Sequence, residues 1–220
     1  PNQPLTVEDL ELLEPQRNEV MVRIEAAGVC HSDLHFIDGL LPHPAPAVLG
    51  HEGAGVVESV GTGVNGFAPG DKVATAMGGM GRAFDGGYAE YTLVPASQVQ
   101  KVETGLDWAT FGALPEMVQT AYGSLHTSLR LQAGQTLLIR GGTTSVGLTA
   151  AILAKKLGAT AIATTRKSER ETMLKANGAD HVVIDDGQIA ETVRGLLGTG
   201  VDRVCRRGGG LHGDPPSGLR

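Results

Sequence analysis

Residues 50–55 read Gly-His-Glu-Gly-Ala-Gly, and residues 28–35 upstream read Gly-Val-Cys-His-Ser-Asp-Leu-His. Together the two stretches bring a thiol (Cys30), an imidazole (His51) and a carboxylate (Glu52) into one short region, with glycines on either side. All three side chains are good ligands for a borderline-soft divalent metal such as zinc. Because three protein ligands leave a position open for water or a substrate oxygen, the pattern favours a catalytic zinc site over a structural one.

The residues that follow the Gly-His-Glu stretch make the metal interpretation more specific. A lone cysteine is usually a small buried apolar group, and a His-Glu pair often occurs by chance. Here the pattern is Gly-His-Glu-x-x-Gly, then Gly61 and Val64, then Pro-Gly-Asp-Lys-Val at residues 69–73. This pattern resembles the zinc alcohol dehydrogenase signature of the medium-chain dehydrogenase/reductase superfamily. The resemblance runs from about Glu19 to about Val204.

Composition excludes several other classes of protein. The chain has 220 residues, a net charge of -6 and two cysteines. An acidic balance predicts no nucleic-acid partner, and two cysteines cannot form a disulfide framework. The sequence contains no apolar run of membrane-spanning length and does not open with a signal peptide. We therefore expect no membrane partner and a cytoplasmic location.

The first half of the chain has the spacing of short strands. Val20, Val22 and Ile24 recur with a period of two, which is typical of a half-buried strand. Further strands, separated by glycine and proline, are predicted at residues 53–61, 71–77 and 87–95. A small, partly open β-barrel fits this profile, and the resemblance implies such a barrel in the form of a GroES-like fold.

The spacing changes in the second half. Apolar residues recur at helical intervals from Leu114 to Leu129, and strands and helices alternate from residue 136 onward. A capping box at Ser168 opens one of these predicted helices. The predicted strands are residues 136–140, 160–165, 181–185 and 201–204, and the predicted helices after residue 140 begin at residues 145, 168 and 189. This alternation predicts a parallel sheet with right-handed crossovers.

The predicted fold class is therefore α/β, with a GroES-like β-barrel domain followed by a partial Rossmann-type parallel sheet. We place the first, catalytic domain at residues 1–125, the second at 126–204 and an irregular tail at 205–220. The tail reads CRRGGGLHGDPPSGLR, which cannot continue a sheet, and a doubly wound domain needs further strands after the fourth. We expect a truncated or frameshifted reading frame or a fragment; an authentic disordered tail is the alternative.

A glycine-rich turn predicts a dinucleotide site. Residues 142–147 read Gly-Thr-Thr-Ser-Val-Gly between a predicted strand and a predicted helix, the context that the dinucleotide fingerprint requires. The first glycine permits a tight turn, the last permits close packing of helix on strand, and the helix N-terminus faces the pyrophosphate. Thr144 replaces the middle glycine, as in quinone-oxidoreductase-like relatives. The candidate cofactor residues here are Gly142, Thr144, Ser145, Val146 and Gly147.

The end of the next strand predicts which nucleotide binds. Thr165 stands where NAD enzymes place an acidic residue for the ribose hydroxyls, and Arg166 and Lys167 follow it. Because a guanidinium suits a 2′-phosphate, NADP(H) is favoured over NAD(H). The alternative is a solvated charge pair at a helix start. By resemblance, His31 also lies near the pyrophosphate.

The resemblance implies a ligand set for one catalytic zinc. Cys30 and His51 occupy the first two zinc positions, and Glu52 sits beside the metal as a further candidate ligand. Glu116 stands where zinc alcohol dehydrogenases have a third, cysteine ligand; the alternative is that Glu116 only stabilises the helix start after Pro115. A structural zinc lobe needs four cysteines, so we expect no structural zinc.

The resemblance also assigns the side chains around the metal. Ser32 and His35 match the residues that relay the alcohol proton, so they are the predicted catalytic residues. Asp33 matches the carboxylate that orients the zinc-bound histidine.

The leading functional prediction is an NAD(P)-dependent oxidoreductase of the zinc alcohol dehydrogenase type, with hydride transfer between nicotinamide and an alcohol, aldehyde or ketone. Three features are more similar to zinc-free quinone oxidoreductases: the loop at residues 77–87, the Leu-Pro-Glu turn at residues 114–116, and the dinucleotide fingerprint with Thr144 in place of its middle glycine. A zinc-free NADPH quinone or enone reductase is therefore the alternative, and a non-catalytic fragment with an exposed sheet edge is a third. The expected partner is a small-molecule substrate, and a homo-oligomer is expected only of full-length family members.

Overall fold

The computed structural model describes residues 3–206, which form two compact units that divide between Glu116 and Met117. Each unit has its own sheet and its own buried cluster of apolar side chains. No helix among the described residues is long and apolar enough to cross a lipid bilayer.

The first unit is built on a five-stranded antiparallel sheet in the order β4-β1-β2-β3-β5. The strands are β1 (Glu19–Ala26), β2 (Glu52–Val60), β3 (Lys72–Ala76), β4 (Tyr91–Pro95) and β5 (Val99–Lys101). Val20 and Val22 of β1 are buried, as their spacing predicts, and they pack with valines of the other four strands. The pairing of β1 with β2 shifts register twice, which bends the sheet into a curled half-barrel.

Two short helices belong to the first unit, α1 (His31–Ile37) and α2 (Trp108–Gly112), and the division between the units falls within α3 (Pro115–Tyr122). The sequence analysis missed α1, because Asp33 is the one residue of this helix that is buried and no apolar stripe marks it. The helix predicted from Leu114 to Leu129 is α3 in its first part, and a π-helical segment (Gly123–Ser128) continues it. Proline opens α3 at the first helical position, where its missing N–H costs nothing.

The second unit contains a four-stranded parallel sheet in the order β8-β7-β6-β9. Its strands are β6 (Thr136–Arg140), β7 (Thr160–Thr165), β8 (His181–Ile184) and β9 (Arg203–Arg206), and its helices are α4 (Ser145–Lys156), α5 (Glu171–Ala176) and α6 (Ile189–Leu197). Leu137 and Ile139 of β6 pack in one apolar cluster with α4, whereas Leu138 packs in another with α6. The helices therefore cover both faces of the sheet, and the carboxyl ends of its strands share one edge.

The α/β fold class predicted from the sequence is confirmed, and three local predictions need correction. Strand β9 extends to Arg206, past the predicted tail start at Cys205, because it pairs with β6 there; residues 207–220 lie outside the described residues. The capping box at Ser168 does not form, since a 3-10 turn (Ser168–Arg170) precedes α5 and no side chain caps either start. Strand β4 is shorter than predicted, because the chain bends at residues 87–90, before Tyr91.

Candidate metal centre and nucleotide cleft

Three side chains from separate parts of the first unit converge on one point. Cys30 precedes α1, His51 precedes β2, and Glu116 is the second residue of α3. Their ligand atoms all lie within 4.8 Å of one another. Within residues 3–206 this is the one group of at least three His, Cys, Asp or Glu side chains that are close enough to hold a metal ion.

His51 is held in one orientation by the buried carboxylate of Asp33, which the half-buried Tyr88 holds in turn. Its Nδ1 lies 3.0 Å from the Asp33 carboxylate, and the Tyr88 hydroxyl donates to the other Asp33 oxygen at 2.8 Å. Burial acts to raise the pKa of Asp33, but the hydrogen bonds from His51 and Tyr88 hold it below its ordinary value. The hydrogen bond to Asp33 in turn raises the pKa of His51, although burial opposes the increase. An ionised Asp33 accepts the proton of Nδ1 and leaves the lone pair of the neutral imidazole on Nε2.

The surroundings of the second ring nitrogen of His51 indicate whether a metal ion fits the group of Cys30, His51 and Glu116. The side chain is 1% exposed, and its Nε2 atom is buried without a hydrogen-bond partner among the described residues. A buried acceptor of this kind is costly unless something binds it. A cation held by Nε2 together with the Cys30 thiolate and the Glu116 carboxylate would satisfy it. The donor set, one sulfur, one nitrogen and one carboxylate oxygen, suits zinc.

Glu52 lies outside this group of three and has a different contact. Its carboxylate accepts a hydrogen bond from the backbone N–H of Glu116 at 2.9 Å and is 5% exposed. Burial raises the pKa of Glu52, against the opposing effect of the Glu116 N–H. The carboxylate therefore anchors the start of α3 and holds the backbone that carries Glu116. The residue's predicted role as a zinc ligand remains a prediction.

Gly28 provides the space that the Glu52 carboxylate occupies, because a Cβ at Gly28 would overlap that carboxylate. We expect Gly28→Ala to push Glu52 off the Glu116 N–H and to destabilise the first unit by about 1–3 kcal/mol, the cost of an unsatisfied buried polar group. Urea unfolding followed by the fluorescence of Trp108, the sole tryptophan of the chain, measures this change in the first unit.

Gly105→Ala is the matched control, because nothing lies within 4 Å of a Cβ at Gly105. The control is expected to change the unfolding free energy by less than about 0.5 kcal/mol. In a Glu52→Ala background the cost of Gly28→Ala should disappear. A cost that persisted there would show that Gly28 acts through something other than Glu52.

The two predicted catalytic residues lie on α1 in different surroundings. The Ser32 hydroxyl is 3.1 Å from the Cys30 sulfur, so the structure brings Ser32 to the candidate centre. The His35 ring packs edge-on against the ring of His31, with 5.0 Å between their centroids. Within the described part of the chain, no hydrogen bond joins His35 to Ser32. The proton relay through Ser32 and His35, and a cofactor role for the exposed His31, remain predictions.

The glycine-rich loop at residues 77–87 holds the backbone around His51. Met77 N–H donates to the His51 carbonyl at 2.7 Å, and Gly87 N–H donates to the Gly50 carbonyl at 2.9 Å. A Cβ at Gly81 would come within 2.5 Å of that Gly50 oxygen, so the loop approaches closely because it lacks side chains there. The loop at residues 77–87, which the sequence marks as similar to quinone oxidoreductases, therefore positions the candidate ligand His51.

In the second unit the glycine-rich turn connects β6 to α4. Thr144 caps the helix: its hydroxyl oxygen accepts from Gly147 N–H at 3.1 Å and its proton goes to the Gly141 carbonyl at 2.9 Å. Gly142 and Gly147 are both buried against backbone or Ala163, where no Cβ fits without displacement. Ser145 is exposed at the first helical position, and Val146 packs on the core. The threonine that replaces the middle glycine thus stabilises the turn.

Beside this turn lies an open cleft of about 380 Å³ lined by three basic side chains. Arg166, Lys167 and Arg170 follow β7, and Thr143 and Thr165 complete the lining. Lys167 has an exposed carboxylate of Glu169 at 3.9 Å; no ion pair is recorded for Arg166 or Arg170 within residues 3–206. The structure therefore brings the predicted residues Thr165, Arg166 and Lys167 together. The cleft also contains Arg170, which was not predicted from the sequence. Its position four residues after Arg166 was the available sequence signal for its place there.

An adjoining cleft of about 230 Å³ contains an acidic residue that the sequence analysis also missed. Asp185, immediately after β8, lines this cleft together with Thr165 and Arg166. Its carboxylate is 3.0 Å from the guanidinium of Arg140 at the end of β6. Asp185 is the last residue of the strand predicted at residues 181–185. That position, at the carboxyl end of a strand, was the sequence signal for its place in the cleft.

Comparisons with known proteins agree with both units. Residues 16–104 match the alcohol dehydrogenase GroES-like domain family, and residues 145–209 match the zinc-binding dehydrogenase family. The NAD-dependent alcohol dehydrogenase of Sulfurisphaera tokodaii is 31% identical over 91% of this chain. This chain spans 67% of the length of that relative.

Two solved structures are similar as well. The Pseudomonas syringae quinone oxidoreductase has a TM-score of 0.81 and 32% identity, with 90% of this chain and 60% of that chain covered. The Escherichia coli quinone oxidoreductase in complex with NADPH has a TM-score of 0.78 and 26% identity, covering 87% and 58% of the two chains. This chain thus spans less than two thirds of either structure.

Proposed function

The chain belongs to the medium-chain dehydrogenase/reductase superfamily, and we propose that it works as an NADP(H)-dependent oxidoreductase of the zinc alcohol dehydrogenase type. The observation that carries the proposal is the buried, unpartnered Nε2 of His51 beside Cys30 and Glu116. Zinc held by these three residues would act as a Lewis acid on the oxygen of an alcohol, aldehyde or ketone.

Each surrounding side chain has a role that its contacts support. Asp33 and Tyr88 keep His51 in the tautomer and orientation that present Nε2. Glu52 keeps the N–H of Glu116, and hence the start of α3, in place. Ser32 places a hydroxyl beside the Cys30 sulfur, where it can pass a proton toward solvent with His35 as the next group on the same helix.

The nucleotide preference rests on charge in the cleft of the second unit. Arg166 and Arg170 have no recorded ion pair within the described residues, and the cleft they line takes an anion readily. A 2′-phosphate is the group that distinguishes NADP(H) from NAD(H). The Sulfurisphaera relative is named for NAD and the Escherichia coli structure contains NADPH, so the proposed preference is argued from the residues of this chain.

A second candidate function is a zinc-free NADPH-dependent quinone or enone reductase. Two observations favour it: the similarity to quinone oxidoreductase structures, and the carboxylate of Glu116 where zinc enzymes of the family use a thiolate. A carboxylate adds less soft character to the site than a thiolate does. The two candidate functions differ in whether Cys30, His51 and Glu116 hold a metal ion.

Metal content and turnover, measured on one preparation, separate the candidates. We expect the purified chain to contain one zinc per molecule and to oxidise NADPH with an aldehyde or ketone as acceptor, faster than NADH. Elemental analysis gives the zinc, and the loss of nicotinamide absorbance gives the rate. Absence of zinc together with quinone turnover would establish the reductase instead. Absence of zinc and of turnover with every acceptor would contradict both, and leave a non-catalytic fragment.

A further inference from the structure

We propose that Arg140 sets the nucleotide preference of the cleft by covering the carboxylate of Asp185. The inference rests on the proposed nucleotide-binding function and adds a residue that determines specificity. Asp185 lines the smaller cleft, which adjoins the cleft of basic side chains where an NADP(H) phosphate is expected, and it would otherwise present a negative charge there. With Arg140 in place, the charge of Asp185 no longer opposes those basic side chains.

The two residues come from strands on either side of β7. Arg140 is the last residue of β6, Asp185 follows β8 directly, and β7 lies between those strands in the sheet. Their side chains meet over the end of β7, with Arg140 Nη2 donating to Asp185 Oδ2 at 3.0 Å. The side chains are 31% and 25% exposed, so the pair is partly shielded from solvent, and its acidic member lines the smaller cleft.

Asp185 is fixed in the cleft by its backbone. Its N–H donates to the carbonyl of Thr165, the last residue of β7, at 2.8 Å. The residue therefore stays next to Thr165 and Arg166 whether or not its side chain is paired, and it lines the same cleft as they do. Removing Arg140 would thus uncover the carboxylate in place.

The chemistry of an uncovered carboxylate at this position opposes a phosphate. Dinucleotide enzymes that select NAD(H) use a carboxylate at the carboxyl edge of the sheet to accept hydrogen bonds from ribose hydroxyls. The same carboxylate repels a 2′-phosphate, which carries about two negative charges. Here Arg166 and Lys167, not an acid, directly follow β7. An acid, Asp185, directly follows β8, and its pairing with Arg140 leaves the charges of Arg166, Lys167 and Arg170 dominant.

A double-mutant cycle on the full chain tests the proposal. Dissociation constants for NADPH and NADH are measured at one ionic strength for the unmodified chain, Arg140→Gln, Asp185→Asn and the double variant. We expect Arg140→Gln to weaken NADPH binding by roughly five- to tenfold, through one partly screened charge, while NADH binding stays equal or becomes tighter. In the Asp185→Asn background the same change should cost less than about twofold, since no carboxylate remains to uncover.

Arg140→Lys separates charge from fold. A lysine keeps the positive charge beside Asp185, so its NADPH affinity should stay within about twofold of the unmodified chain. An equal loss for lysine and glutamine would overturn the proposal, as would an equal cost of Arg140→Gln with and without Asp185. Thermal melts of each variant without nucleotide identify any loss that comes from unfolding.

The outcomes also distinguish this inference from the function it rests on. If the unmodified chain bound neither nucleotide, or preferred NADH, the proposed NADP(H) function would fail and this proposal with it. If the unmodified chain prefers NADPH and the cycle shows no coupling between Arg140 and Asp185, the role of Arg140 alone is wrong.

Discussion

The Cys30→Ser variant is expected to bind zinc more than about 100-fold more weakly than the unmodified chain. Loss of a residue that only hydrogen-bonds to a metal ligand costs about 10–100-fold in metal affinity. Because Cys30 would bind the metal directly, its loss should cost more. A serine hydroxyl stays protonated at neutral pH, so it cannot replace a thiolate as a negatively charged, soft donor. His51 and Glu116 remain, and two ligands hold the ion poorly.

Cobalt(II) substitution makes the loss visible, because a thiolate bound to cobalt gives a charge-transfer absorption band in the near ultraviolet. Competition with a chromophoric chelator measures the zinc affinity of the same samples. Cys205→Ser is the matched control: Cys205 is the other thiol of the chain, half-buried in β9 of the second unit, where burial raises its pKa. The band should vanish in Cys30→Ser and persist in Cys205→Ser. Persistence of the band in Cys30→Ser would show that Cys30 is not the thiolate that binds the metal.

The Asp33→Asn variant is expected to reduce zinc affinity by about 10–100-fold although it removes no ligand. Asp33 accepts hydrogen bonds from both His51 and Tyr88 with its two oxygens. An amide of the same shape offers one oxygen, so one of these donors loses its acceptor and the ring of His51 is no longer held in one tautomer.

Tyr88→Phe serves as the graded control for this prediction. It removes one donor to Asp33 and leaves the bond between Asp33 and His51 intact, so the zinc affinity should fall by less than in Asp33→Asn. The chelator competition used for Cys30→Ser reports both variants, and circular dichroism verifies that they fold. Equal zinc affinity in Asp33→Asn and the unmodified chain would mean that Asp33 does not position His51.

The elements that the sequence predicted well are those with a strong local period. The alternation of Val20, Val22 and Ile24 places β1, and the apolar runs at residues 136–140 and 160–165 coincide with β6 and β7. Burial of one face is enough to specify such segments. Helix α1 lacks this signal, because what holds it in place is Asp33, a buried polar residue whose partners are distant in the chain.

The candidate site shows the same contrast: its local motifs were predictable from the sequence, and its long-range contacts were not. The glycine-rich turn was predictable because its strand, turn and helix are consecutive in the chain. Arg170 was missed because a 3-10 turn, rather than the predicted capped helix, presents it to the cleft. Tyr88 was missed because it reaches Asp33 across 55 positions of sequence, and no spacing rule links residues that far apart.

The local sequence thus determines short-range order. It specifies which segments become strands, where the nucleotide turn lies, and that a thiol and an imidazole stand near glycines. Only the folded chain decides the contact across 64 positions in which Glu52 accepts from the N–H of Glu116, and the contact across 45 positions that pairs Asp185 with Arg140. The physical reason is that periodicity reports which face of a segment is buried, whereas the partner of a buried polar group is chosen by how distant strands and helices pack.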